Sequence, residues 1–227
     1  MGKPGELKRN KEPRELDDRL KKVVVEDKKL AKNMAATARQ QLTTANRNKG
    51  CTPILLRYCF GIKSGPKPSA AEKKKRLDQT NFIDKIFQRF INEIDAVKFR
   101  YDQFADDPRT AEKRAYCLSN TANTIFLRPA YFGLDDFSVD HDTKPISTAK
   151  GPARRRAVTL IHEFIHSINV DKTDHQENRD LETPAQFMFN DKPIKPEMAL
   201  KDATTYEHFA KWTSAGLTCE GGKVSTQ

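Results

Sequence analysis

The segment from Ala157 to Ile168, which reads Ala-Val-Thr-Leu-Ile-His-Glu-Phe-Ile-His-Ser-Ile, constrains the fold more than any other part of the chain. Val158, Ile161, Ile165 and Ile168 recur at steps of three and four, the spacing that lays an apolar stripe along a helix and binds it to a core. Gly151-Pro152 marks its start, with proline in a favourable first-turn position. His162 and His166 are four residues apart, so on a helix their rings stack on one face about one turn from each other. Glu163 is turned from His162 by roughly a quarter of the helix circumference.

His162-Glu163-x-x-His166 is the one pattern in the chain with a specific mechanism attached. Both imidazoles can bind a single Zn²⁺, while Glu163 points beside the metal and can take a proton from a water whose pKa the metal lowers toward ~7. The expected reaction is attack on a peptide carbonyl polarised by the same ion. The bland alternative is a pair of exposed or capping histidines on an amphipathic helix. Against it, the chain has only five histidines, and two of them fall at the ligand spacing with Glu after the first.

Such a site needs a third protein ligand and an open fourth position. The extended pattern with Gly and His three and six residues after the second histidine is excluded, because those positions are Asn169 and Lys172. The remaining donors are Asp171, Asp174, His175 and carboxylates farther along, such as Asp202 or Glu207.

Composition narrows the setting. The chain has 227 residues and a net charge of +10, with 37% hydrophobic residues, and a mean hydropathy of −0.77. No run approaches the roughly 18 apolar residues of a membrane-spanning helix. Thirteen Phe, five Tyr and one Trp suffice to anchor a core. Residues 1–75 hold 20 Lys or Arg against 8 Asp or Glu, leaving 21 basic and 23 acidic residues for the rest. The basic charge therefore lies ahead of the catalytic motif. Aromatic residues are nearly absent from that part until Tyr58, so the stacking that single-stranded nucleic acid requires is missing and no nucleic-acid partner is expected. Arg154-Arg155-Arg156 opposes the macrodipole at its helix start and reads by default as a solvated face.

Cys51, Cys59, Cys117 and Cys219 contain no C-x-x-C pair, which leaves one or two disulfides open without demanding them. The amino terminus lacks the apolar core of a signal peptide, so the expectation is synthesis in the cytoplasm with release, if any, by a specialised route.

Along the chain, residues 1–13 read as a disordered basic tail, 14–213 as one domain and 214–227 as a mobile tail. Helical periodicity spans Arg14 to about Asn46 and about Ala70 to Val97, and a last helix runs from Glu197 to about Thr213. Ala115–Leu118 and Thr124–Leu127 read as short strands of a small sheet, whereas Asn169–Pro196 is polar, proline-punctuated loop. The fold class is α+β, helix-rich with a small sheet.

The stretches Ile125-Phe126-Leu127-Arg128-Pro129-Ala130-Tyr131-Phe132, Thr159-Leu160-Ile161-His162-Glu163-Phe164-Ile165-His166, Thr173-Asp174 and Asp202-Ala203-Thr204-Thr205-Tyr206-Glu207-His208-Phe209-Ala210 resemble a known family. They are similar to the deuterolysin and peptidyl-lysine metalloendopeptidases, the aspzincins, over roughly residues 15 to 213. The resemblance implies a zincin-like fold with a small, mostly antiparallel sheet, one Zn²⁺ and Asp174 as third ligand, with Asp171 as fallback. The family tyrosine that polarises the substrate carbonyl falls on Glu177, so Tyr206, His175 or His208 would have to donate instead; Tyr206 is the expected donor. The carboxylate that helps select lysine in some members is replaced by Thr204, while Glu207 remains, so lysine specificity is not carried over. The segment from Thr124 to Tyr131 is either an ordinary core strand or, as in zincin folds, the edge that pairs with an extended peptide. Arg128 replaces a common cysteine, which together with the missing leader looks more like bacterial toxin or effector members than a secreted digestive enzyme. A protein or peptide substrate, and a cognate inhibitor or immunity protein, are the partners this implies. Two other classes compete with the zinc endopeptidase: a DNA-associated zinc protease, suggested by the basic first third, and an inactive binding module on the same scaffold, suggested by Glu177.

Overall fold

The computed structural model describes residues 13–43, 46–63, 67–103, 114–118, 123–134, 145–168, 195–220 and 223–226. Helix α1 (Asp18–Leu42) starts where the Asp17 carboxylate accepts the Leu20 amide at 2.9 Å, and it buries Leu20, Val24, Ala31, Met34, Ala38 and Leu42 along one face. It is shorter than the periodicity suggested. Arg14 and Glu15 form a two-residue strand β1 instead, and the helix stops at Leu42, with the Thr43 hydroxyl donating to the Gln40 carbonyl.

The sequence reading gave no element to Thr52–Phe60, which forms helix α2. Pro53 sits in its first turn, and Gly61, at φ 66°, ends it in the left-handed region that glycine adopts without strain. Helix α3 (Ala70–Glu93) opens with a complete capping box, Ser69 and Glu72 each bonding the other's backbone, and buries Ile83, Phe87 and Phe90. A single 3₁₀ turn, Ile94–Ala96, leads into the sheet.

Strands β1, β2 (Lys98–Tyr101), β3 (Ala115–Cys117) and β4 (Thr124–Leu127) form one mixed sheet in the order β1-β2-β4-β3. β2 runs parallel to β4 with Lys98 opposite Thr124, while β1–β2 and β3–β4 are antiparallel. This order settles which strand is at the edge. Among the described residues β4 is interior, paired on both sides, and the edge next to the His-Glu helix is β3, reached by Ala115 opposite Leu127 and Cys117 opposite Ile125. Of the two readings of Thr124–Tyr131, the core strand is the one that Thr124–Leu127 adopts. Part of that stretch is also helical, since α4 (Pro129–Phe132) follows the strand at once.

Helix α5 (Lys150–Ser167) lies against α1, α3 and strands β3 and β4. A short turn α6 (Pro196–Ala199) precedes α7 (Ala203–Thr213), which packs on α5, α1 and α2. One continuous apolar core joins these elements, with Leu56, Phe60, Phe87, Phe90, Leu160 and Phe209 almost wholly inaccessible. Within the segment read as a C-terminal tail, β5 (Leu217–Glu220) and β6 (Lys223–Thr226) form an antiparallel pair. Cys51 is disulfide-bonded, whereas Cys59 and Cys117 are free thiols.

The arginine run at the start of α5 is not a solvated face. Arg156 is 4% exposed and its Nε donates to Asp27 Oδ2 at 2.7 Å, and Arg154 donates to the Lys211 carbonyl and the Ser214 hydroxyl at the end of α7. Only Arg155 is fully exposed. The unfavourable charge at the helix start is thus offset by Asp27 and by carbonyl dipoles from neighbouring elements. Among the described residues, no helix is long and apolar enough to cross a membrane.

Candidate metal centre

α5 is anchored by Ala157, Leu160, Ile161, Phe164 and Ile165, all buried, so the histidine face is turned to the opposite, half-open side. One helical turn separates His162 from His166, and their rings come together with Nε2 of one 3.1 Å from Nε2 of the other. Two imidazole nitrogens each about 2.0–2.1 Å from one tetrahedral ion stand about 3.3 Å apart. The observed 3.1 Å therefore fits two ligands of a single zinc without rearrangement of the helix. The ring planes are inclined at 70°, with their centroids 4.8 Å apart.

Glu163 is 7% exposed, on the side of α5 that meets the edge strand. The Cys117 thiol at the end of β3 donates to the Glu163 carbonyl at 3.1 Å. Burial pushes the Cys117 thiol pKa up, and the Glu163 carboxylate beside it adds to the effect. Cys117 is thus held as a neutral thiol rather than a thiolate ligand. The end of β3 thus lies against the middle of α5, at Glu163.

His162 is oriented from behind. Its Nδ1 lies 3.0 Å from Oε2 of Glu207, which α7 carries across the helix interface. Burial alone would lower the His162 pKa, but the hydrogen bond and charge of Glu207, with the charges of Glu163 and Asp202, outweigh it and the net shift is upward. Burial likewise pushes Glu207 up, and His162, His208 and Lys211 overcome it, holding its carboxyl below the usual range. Asp202 is the α7 N-cap, its Oδ1 accepting the Thr204 amide at 2.9 Å.

Tyr206, the expected carbonyl-polarising donor, points elsewhere. It is wholly buried, its hydroxyl donates to the Leu200 carbonyl at 2.8 Å, and its ring packs edge-on against Phe60 at 5.1 Å and Phe87 at 5.6 Å. One residue along a helix turns a side chain by about 100°, so Glu207 facing His162 and Tyr206 facing the core follow from the same helix. As placed, the hydroxyl expected to polarise a substrate carbonyl is engaged by the Leu200 carbonyl. His208, a second candidate donor, stacks on Trp212 with centroids 5.2 Å apart and is also buried. Asp174, with Asp171, His175 and Glu177, lies outside the described residues. Among the described residues, no group of three or more His, Cys, Asp and Glu side chains could hold a metal ion, so the histidine pair needs a donor from elsewhere in the chain.

Sequence reasoning weighed Glu207 as a distant ligand and as the remaining carboxylate of a lysine-selecting pair, and missed its place behind His162. The signal was available: Ala203, Glu207 and Ala210 fall on one stripe of α7, and a carboxylate on a stripe otherwise made of small apolar residues calls for a buried partner.

No protein-family model and no curated protein sequence matches the chain. Among solved structures, a zinc peptidase from Grifola frondosa matches with a TM-score of 0.54 and 15% identity, covering 88% of this chain and 99% of that one. At that identity the likeness is one of fold, and the chain accordingly has an α+β, zincin-like architecture: long helices around a small mixed sheet, with the His-Glu helix beside the sheet edge.

Proposed function

We propose that this chain is a zinc-dependent endopeptidase. The observation that carries the reading is the convergence of the His162 and His166 Nε2 atoms on one point, on a helix whose Glu163 faces the sheet edge. The fold shared with a zinc peptidase supports it.

In this reading His162 and His166 hold Zn²⁺ together with Asp174, the third ligand expected from the sequence. Bound there, zinc supplies Lewis acidity for a water and for a substrate carbonyl. Glu163 removes the proton from the attacking water and returns it to the departing amine, the pattern of a general base that later acts as acid. The carboxylate is buried beside β3, out of bulk solvent. The edge of β3 pairs with the substrate main chain, which sets a peptide across the histidine pair while asking little of its sequence. The disulfide at Cys51 fits work outside a reducing cytosol.

Metal analysis of the purified protein tests this reading. Wild type is expected to carry about one zinc per chain, and His162→Ala or His166→Ala to lose it while remaining folded. A folded wild type that takes up no zinc from a buffered zinc solution rejects it.

A further inference from the structure

We infer that Glu207 is a positioning residue for His162, fixing the ring tautomer and direction that metal binding requires. The inference rests on the zinc reading above and adds a residue to it.

The two nitrogens of an imidazole point to opposite sides of the ring. With Nδ1 3.0 Å from Glu207 Oε2 and Nε2 3.1 Å from the His166 Nε2, the His162 ring is held between two partners that use its two different nitrogens. A carboxylate accepts and cannot donate, so the proton of neutral His162 resides on Nδ1 and the Nε2 lone pair is left facing the position shared with His166. The same geometry removes Glu207 from the candidate metal ligands: the oxygen that bonds Nδ1 lies behind the ring, on the side away from that position.

The pairing is built rather than incidental. The side chains are 15% and 24% exposed, the partners come from helices 45 residues apart in sequence, and α7 itself is fixed by the Asp202 cap and by Thr205 donating to the Ala199 and Asp202 carbonyls at 2.7 Å. A carboxylate behind a ligating histidine fixes the ring and raises its basicity, and losing such a partner typically costs 10–100-fold in metal affinity.

Zinc affinity, measured by competition with a chromophoric chelator, provides the test on wild type, Glu207→Ala and Glu207→Gln, with His162→Ala as reference. Glu207→Ala is expected to weaken zinc binding about 10–100-fold. Glu207→Gln recovers most of it, because the amide oxygen still accepts the Nδ1 proton. Side-chain ¹⁵N spectra of the metal-free proteins at alkaline pH read the tautomer directly, with His162 expected as the Nδ1–H form in wild type and the Gln variant and as a mixture in the Ala variant. Equal zinc affinity in wild type and Glu207→Ala, or a glutamine variant no better than alanine, overturns the inference. If wild type itself binds no zinc, the zinc reading fails, and the tautomer spectra alone decide whether Glu207 positions the ring.

Discussion

Four residues apart on a helix is all that the sequence had to say about His162 and His166, and it was enough to bring their Nε2 atoms to 3.1 Å. Local spacing is legible because helix geometry fixes it. What could not be read was the identity of groups arriving from other elements. Tyr206 and Glu207 are adjacent in sequence, and only packing decides that one faces Phe60 and Phe87 while the other faces His162. The placement of Tyr206 has a consequence in solution. Tyr206→Phe leaves the buried Leu200 carbonyl without its donor and is expected to cost about 1–2 kcal/mol of stability in urea denaturation. Peptide cleavage should stay within about twofold of wild type, since a hydroxyl this far committed to the core touches no substrate. A cleavage rate reduced by roughly a hundredfold, with stability unchanged, would instead return Tyr206 to the role of a carbonyl-polarising donor.

The element that matters most is α5, and its orientation is set well away from the histidines. Asp27 on α1, Arg156 on α5 and Tyr131 on α4 meet in one buried cluster, with Arg156 Nε and the Tyr131 hydroxyl donating to the same Asp27 oxygen at 2.7 and 2.9 Å. Arg156 also donates to the Ser147 carbonyl at 2.9 Å, tying the approach to the helix to its second turn. Burial raises the Asp27 carboxyl above its usual range, while Arg156 and Tyr131 act against that rise. Removing one partner leaves the other charge buried, so Asp27→Ala is expected to destabilise the fold by about 3–5 kcal/mol in denaturant unfolding. A loss of about 1 kcal/mol or less, the value of an exposed pair, would show that the cluster does not hold α5 in place. The α1 stripe hinted at this arrangement. Asp27 falls on the face that buries Leu20, Val24, Ala31 and Met34, and an acidic residue in that row needs a cation opposite it. The arginines at 154–156 were the available cations, but nothing in a local pattern links residues 129 positions apart.

At the scale of the whole molecule, the long helices and the segments of β3 and β4 were legible, and the order of the sheet was not. A helix of 18 to 25 residues repeats its apolar stripe several times, as α1, α3 and α5 do. Strands of two to four residues repeat nothing, and their order β1-β2-β4-β3 depends on pairings between segments far apart in sequence. That order makes β3 the edge beside α5 and so decides where an extended chain can dock. The positive charge that dominates the composition is spread over the first third of the chain. On α3 the first turns bearing Lys73, Lys74 and Lys75 are exposed, in elements that do not carry the His-Glu motif. Helix α5, the β3 edge and α7 are thus the elements on which the proposed zinc site depends. The measurement that tests this account most directly is cleavage of unfolded casein by zinc-loaded wild type and Glu163→Ala, compared at equal zinc content. The account predicts cleavage by wild type and a loss of at least about a hundredfold in the variant, the contribution of a general base. Cleavage undiminished in Glu163→Ala, or none by a wild type that holds its zinc, would contradict it.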